Sequence, residues 1–527
     1  VASEVRRRAG PPRPLFSVEE AARVTGARIL PQSAAEAARS LVVSGVEVDS
    51  RQIRPGDLFC ALAGEHVDGH DFVDRAWEAG AVAAMVSRGS MPGPPAGRVY
   101  LQVADTLKGL ADLARHHRER YRPVVIGVTG SVGKTTTKDL IASVLGTSLK
   151  VLANPGNLNT DIGLPLTLFE LGPEHQVACL EMGMRGPGEI SRLAGLARPS
   201  IGVITNVGPV HIELLGSLEA IARAKEELLW SLPADGTAVL NADDPVTADM
   251  ARRHRGRLAA VITYGLGPQA HVRAAELVTG PAGETLFRVE VAGDTGAARW
   301  RARAVGDLGV FSLPLAGRHV VLDALAAVAT GLHLGLEPEA VRAGLARPRL
   351  SAMRQEVTEA AEVTVINDAY NAGPASMAAA LQLLVATRRA RGGRAVAVLG
   401  DMLELGHLSE KAHRDLGRLV GEAQVDYLVT VGPRSTLVAE EAVRAGLASD
   451  RVVHFGGSGG ADQAGAEARA AAAGEVLRLV QPGDTVLIKA SRGMKFEEIA
   501  GRILETLQRR AGGGPTAPPG SGRGGAA

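Results

Sequence analysis

The run Val124-Val125-Ile126-Gly127-Val128-Thr129-Gly130-Ser131-Val132-Gly133-Lys134-Thr135-Thr136-Thr137 holds the residues best suited to chemistry. Gly130 and Gly133 let main-chain N–H groups close around a polyphosphate, Lys134 neutralises its outer charges, and the Thr135 hydroxyl is a ligand type for Mg²⁺. Apolar β-branched residues lead into the turn and a helical pattern follows it, the strand–turn–helix context that such a loop needs. The spacing is shorter than the usual G-x-x-x-x-G-K-[ST], because Val128 stands where the first glycine would be.

Further polar residues follow strand-like runs. Glu181 ends Val177 to Leu180, in position to sit beside a nucleotide-bound metal, although a carboxylate on an exposed turn is an equal reading. His211 and Glu213 follow Ile204-Thr205-Asn206-Val207-Gly208-Pro209 and make a second metal candidate, with a surface histidine as the plain alternative. Lys225 lies on a helix where solvation is the rule. However, its neighbours three and four residues away are Ile221, Ala222, Leu228 and Leu229, so no carboxylate on that helix faces it. Asn241-Ala242-Asp243-Asp244-Pro245 reads as a strand end or as an Asx turn with a proline stop. Arg354 sits at a candidate hinge from which it could swing onto a triphosphate, and Asp368 follows the next strand.

The elements that must position these residues form parallel sheets with crossover helices. A length of 527 residues predicts about three domains. The fold class is α/β: a small N-terminal α/β domain, a central P-loop ATPase-like, mostly parallel sheet, and a C-terminal Rossmann-like domain. The first block, 15–103, contains strand-like Leu41 to Val48, the segment Pro55 to Leu62, a helix Phe72 to Ala79 and a strand Ala81 to Val86. The second, 104–346, adds strands Ile201 to Thr205 and Thr237 to Leu240, an antiparallel insert over 267–312, and a closing helix His319 to His333. The third, 347–511, alternates helices with strands Val363 to Ile366, Ala395 to Leu399, Tyr427 to Val431 and Thr485 to Ile488. The tails 1–14 and 512–527 read as disordered.

Lysine plus arginine (58) nearly cancels aspartate plus glutamate (57), which leaves no basic field for nucleic acid; Arg6-Arg7-Arg8 reads as a solvated tail. Cys60 and Cys179 lie in apolar runs and read as buried thiols rather than a disulfide. No apolar run is long enough to span a bilayer, so a cytoplasmic protein without membrane insertion is expected.

Together these pieces resemble the Mur ligases, ATP-dependent amide-forming enzymes of peptidoglycan precursor synthesis, over about residues 40–505. The short loop Gly130-Ser131-Val132-Gly133-Lys134-Thr135-Thr136 is similar to that family's version. Four other stretches carry the likeness: Asn157 to Pro165, Asn367 to Met377, Leu399-Gly400-Asp401-Met402-Leu403-Glu404-Leu405-Gly406 with His413 downstream, and Lys489 to Glu497. They are most similar to the branch that adds D-alanyl-D-alanine to UDP-N-acetylmuramoyl-tripeptide, and the Asp-Asn-Pro-Arg motif of the branch adding the third amino acid is not found.

The resemblance implies ATP and Mg²⁺ as cofactors, those two substrates as partners, and a monomer. It implies that the loop residues Gly130 to Thr136 bind ATP, with Lys134 and Arg354 on its phosphates, Asn241 near adenine and Asp368 near the ribose. Thr135 and Glu181 would hold one Mg²⁺, and His211 would help hold a second. Lys225 would carry a carbamate that also helps bind metal. Lys134, His211, Lys225 and Arg354 would form the catalytic set. Asp49, Ser50 and Arg51 would receive the UDP-sugar, while Asn157, Asn159 and Thr160 would line the route between ATP and acceptor. On the closing helix, Val320 and Asp323 stand where the family often has asparagines, and Gly373 also stands at a common asparagine position. The rival readings are a ligase adding a single amino acid, a folylpolyglutamate-like ligase, and a nucleotide-binding protein with a lapsed site.

Overall fold

A computed structural model describes residues 13–512 except 65–66, 88–90, 92–93, 95–96, 211, 280–283, 293–304, 316 and 458–462. His211, the Arg6 to Arg8 run, and most of both expected tails therefore lie outside the described residues, as do parts of the 267–312 insert.

The N-terminal unit pairs β1 (Phe16–Ser17) with β3 (Val42–Val43) and builds a five-stranded sheet in the order β2-β7-β6-β5-β4. Its strands are β2 (Arg28–Leu30), β4 (Gly45–Glu47), β5 (Asp57–Cys60), β6 (Ala83–Val86) and β7 (Val99–Gln102). The single strand expected from Leu41 to Val48 is two strands in different sheets. The chain turns at Ser44, whose N–H bonds to the Gly56 carbonyl at 2.9 Å. The helix expected from Phe72 spans Val73–Glu78 and is preceded by a 3₁₀ turn, Gly69–Phe72. Asp68 sets that earlier start by accepting from the His70 N–H at 2.9 Å.

The central unit is a nine-stranded sheet in the order β16-β15-β14-β13-β12-β11-β8-β10-β9. Its strands are β8 (Val124–Thr129), β9 (Val151–Ala153), β10 (Val177–Glu181), β11 (Ile201–Ile204), β12 (Thr237–Asn241), β13 (Ala260–Gly265), β14 (Val272–Thr279), β15 (Thr285–Val291) and β16 (Gly306–Leu313). Strands β8 to β13 are parallel and covered on both faces, which explains their nearly continuous apolar runs. The expected antiparallel insert is β14–β15–β16, joined to β13 by the parallel pair Tyr264↔Val272. The alanine-rich helix Arg318–His333 is buried over most of its length against the phosphate-loop helix Lys134–Leu145.

The C-terminal sheet runs β17-β18-β22-β19-β20-β21, with β17 (Glu356–Ala360), β18 (Val363–Asn367), β19 (Ala395–Gly400), β20 (Tyr427–Val431), β21 (Val452–Phe455) and β22 (Thr485–Lys489). Only β17 pairs antiparallel. Neither β17 nor β21 is expected from the sequence, because both are half-exposed edge strands with weak apolar alternation. Cys60 and Cys179 are buried free thiols. Among the described residues no helix is long and apolar enough to cross a membrane.

Candidate active site

The phosphate loop leaves β8 at the point where strand order reverses, with β10 on one side and β11 on the other. Ligands collect in that crevice in open parallel sheets. Val128 is a fully buried strand residue paired with Glu181 and Val203, so sheet still occupies the place where a longer loop would begin. The turn starts at Gly130, where a Cβ would collide with the Thr205 hydroxyl. The segment after β11 straps the turn down. Ser131 N–H donates to the Asn206 carbonyl at 2.9 Å, Val132 N–H to Asn206 Oδ1 at 3.0 Å, and Thr205 Oγ1 to the Val132 carbonyl at 2.6 Å. Lys134 Nζ lies over the turn and donates to the carbonyls of Gly130 (2.8 Å) and Ser131 (3.2 Å).

Beside the loop, Thr135 Oγ1 donates to Glu181 Oε2 at 2.5 Å and Asn159 Nδ2 to Glu181 Oε1 at 2.7 Å. The strand end holding Glu181 is fixed by buried Asn154, which accepts from Glu181 N–H at 2.8 Å and donates to its carbonyl at 3.1 Å. A hydroxyl and a carboxylate next to a phosphate loop are hard oxygen donors of the kind Mg²⁺ takes. Among the described residues no three His, Cys, Asp or Glu side chains converge as a metal cluster.

Lys225, from the helix Leu218–Trp230, is buried and donates to the Gly130 carbonyl at 3.0 Å. Burial, with Lys134 nearby, holds its amine well below the usual lysine range. The acids next to it point away: Glu226 pairs with Arg253 at 3.0 Å and His254 at 2.9 Å, while Glu227 accepts from Gly188 and Ser191 N–H. A neutral buried amine is the form of lysine that can add CO₂.

The opposite wall comes from the C-terminal unit. The Arg354 guanidinium stacks 3.9 Å from the Tyr370 ring centroid, and its Nε is buried without a partner. Asp368 pairs with buried Lys489 at 2.6 Å and accepts from Gln355 N–H at 3.3 Å. Arg185 after β10 reaches Glu404 at 3.6 Å across the gap between the two units. The cleft between them has a volume of about 920 Å³ and is lined by the phosphate loop, Glu181, Lys225, Arg354 and Asp368, a size that suits a nucleotide with part of a second substrate.

Three family models match successive parts of the chain: Mur ligase family, catalytic domain (residues 42–118), Mur ligase middle domain (128–331), and Mur ligase, glutamate ligase domain (353–492). The UDP-N-acetylmuramoyl-tripeptide–D-alanyl-D-alanine ligase of Bacillus subtilis (strain 168) is 38% identical over 88% of this chain and 94% of its own length. The chain belongs to the Mur ligase family. The Escherichia coli (strain K12) protein of the same name is 33% identical over 88% of this chain and 94% of its own. Among solved structures, MurF from Acinetobacter baumannii superposes with a TM-score of 0.78 at 30% identity, covering 94% of this chain and all of that one. MurF ligase from Thermotoga maritima in complex with ADP gives 0.71 at 27% identity, covering 89% and 98%.

Within this Mur ligase the other expected residues divide. Asn157, Asn159 and Thr160 line the cavity with Ser131, Val132, Gly133 and Thr136. Asn241 stands outside it: its Nδ2 donates to the Thr205 carbonyl at 3.0 Å and its Oδ1 accepts from Asp243 N–H at 2.9 Å, an Asx turn closing β12. Asp244 then caps the helix Pro245–His254. Asp49, Ser50 and Arg51 follow β4 in the N-terminal unit, away from the cavity lining, with Arg51 paired to Asp49 at 2.7 Å. The Arg51 bonds hold the Asp49 carboxyl down at about 2. Buried His413 is structural, accepting from Met402 N–H at 3.0 Å and donating to the Ser409 carbonyl at 2.7 Å. Tyr370, Lys489 and Arg492 line the cavity without having been singled out for a role. Lys489 closes β22, so the rule that favours the carboxyl ends of parallel strands points to it.

Proposed function

We propose that this protein is an ATP-dependent ligase joining D-alanyl-D-alanine to UDP-N-acetylmuramoyl-tripeptide to form the UDP-N-acetylmuramoyl-pentapeptide. The observation that carries the reading is the convergence of the phosphate loop, Glu181, Lys225, Arg354 and Asp368 on one cavity. The acceptor assignment is supported by the names of the relatives that match most of the chain.

The terminal carboxylate of the tripeptide attacks the γ-phosphorus of ATP, forming an acyl phosphate and releasing ADP. The amine of the dipeptide then attacks the acyl carbon, loses a proton, and expels phosphate as the amide forms. Two anions meet in the first step, so Lys134 and Arg354 serve to offset repulsion and hold the charge that spreads over the transferring phosphoryl group. Thr135 and Glu181 would hold one Mg²⁺, His211 would help hold a second, and the Lys225 carbamate would help bind metal, which would add positive charge at the phosphates. Residues 15–103 would take the UDP-sugar and 104–346 ATP, with the dipeptide between 104–346 and 347–511 and Asp368 toward the ribose. One chain supplies both cavity walls, which supports action as a monomer, and the need for ATP supports a cytoplasmic site.

Phosphate release by the purified protein, assayed with UDP-tripeptide, ATP and each amine in turn, tests the reading. Release dependent on D-alanyl-D-alanine is expected; release driven instead by a single amino acid would reassign the acceptor. Product formation by Lys134→Ala at the wild-type rate would remove the ATP-site assignment.

A further inference from the structure

Asp323 lies on the helix Arg318–His333 in the wall of the cavity, and its side chain is buried. Its Oδ1 accepts from Thr137 Oγ1 at 2.9 Å, one turn into the helix that the phosphate loop opens. A Cβ at Gly133, a left-handed glycine with φ 83°, would collide with the same oxygen. The carboxyl is therefore built into the floor of the loop that must receive a polyphosphate.

An ionised carboxylate there would be a buried charge beside the incoming phosphates, and what surrounds it does little to balance one. Arg354 acts on it from the domain junction but is stacked on Tyr370. Lys134 on the facing helix turns its ammonium to the Gly130 and Ser131 carbonyls. From β13 comes the buried Tyr264 phenol, beyond which lie Asp243 and Asp244, and His319 is one turn earlier on the same helix. On β14, Arg273 is already paired with Glu290. On the helix Pro338–Ala346, Arg342 is turned to the Val310 and Leu308 carbonyls. Desolvation outweighs the Thr137 bond and Arg354, and pushes the carboxyl up to about 8.

We propose that Asp323 is a positioning residue for the phosphate loop and that it works as the neutral acid, accepting from Thr137 with one oxygen while keeping negative charge away from the bound polyphosphate. The proposal rests on the cavity being the ATP site and adds a proton to what that site must hold. Binding nucleotide then competes with loss of this proton, and affinity falls once the carboxyl ionises.

The test measures ADP binding calorimetrically from pH 6.5 to 9.5 in wild type and Asp323→Asn, whose amide mimics the neutral acid. Lysines and nucleotide titrate alike in both, so the ratio of their Kd values isolates Asp323. The ratio is expected to be near one at the acid end and to rise about tenfold per pH unit above 8. Thr137→Val, which removes the donor while keeping the volume, is expected to weaken ADP binding at neutral pH and to retain a pH step. A ratio independent of pH, or Thr137→Val binding like wild type, overturns the proposal. Wild type that binds no ADP at any pH overturns the nucleotide reading itself, and the proposal with it.

Discussion

Lys134 and Lys225 donate to one acceptor, the carbonyl oxygen of Gly130, at 2.8 and 3.0 Å. Two lysines sharing a single carbonyl cannot both hold their protons cheaply, and desolvation depresses both, the buried Lys225 the more strongly. The more strongly depressed Lys225 is the better candidate for a free amine, and the less depressed Lys134 for the cation that meets phosphate.

That division of labour predicts carbamate formation. Protein equilibrated with ¹³C-bicarbonate should show a carbamate carbon resonance that Lys225→Ala lacks. Ligase activity should fall in CO₂-depleted buffer and return with bicarbonate. Lys225→Ala should lose at least about a hundredfold in kcat, the scale for removing a charged group at a phosphoryl-transfer centre. Full activity of the variant without bicarbonate would count against the carbamate.

The stack of Arg354 on Tyr370, 3.9 Å from the ring centroid, predicts a second pattern. Stacking of a guanidinium is worth about 0.5–2 kcal/mol, so Tyr370→Ala should raise the KM for ATP by roughly 2- to 30-fold. Tyr370→Phe keeps the ring face and should stay near wild type. Equal losses in both variants would show that the hydroxyl, rather than the ring face, is what matters.

Asp368 and Lys489 form an ion pair at 2.6 Å with both side chains largely withdrawn from water. Removing one partner leaves the other buried and unpaired, which costs about 3–5 kcal/mol. Lys489→Met should therefore lower the denaturation midpoint of the protein, and Asp368→Asn should do so by less, because the amide can still accept from the ammonium. Urea titration of the two variants checks the ranking.

How much of this was legible beforehand depended on sequence distance. The phosphate loop was readable because its strand, glycines, lysine and threonines are contiguous, and the parallel strands announced themselves as apolar runs. The helix of Lys225 showed apolar neighbours, but that its amine meets the phosphate loop depends on a contact across 95 residues. The Asp368–Lys489 pair spans 121 residues and had no local signal. Asp323 was noticed only as a departure from a family pattern; its burial against Thr137 and Gly133 exists only once two helices pack. Asn241 had a strong local reading as an Asx turn and a nucleotide reading only through the family resemblance, and the fold commits its side chain to the turn.

Asp323 also predicts how stability varies with pH in the protein without nucleotide. Burial holds its carboxyl up at about 8, well above the ordinary aspartate value of about 3.8, so the native state keeps a proton that the unfolded chain releases. The sign is that of a raised pKa: the contribution is fully present below about 3.8 and is lost as pH rises toward 8. Across that window the group takes away about 1.4 kcal/mol of stability per pH unit, and above 8 its effect is constant. Asp323→Asn has no proton to lose, so it should gain on wild type steadily between pH 5 and 8 and hold a fixed advantage at pH 9 and beyond. Melting temperatures of the two proteins at unit pH intervals measure this. A difference that stays constant from pH 5 to 9 would mean that the carboxyl is ionised throughout, and that the charge beside Gly133 is tolerated.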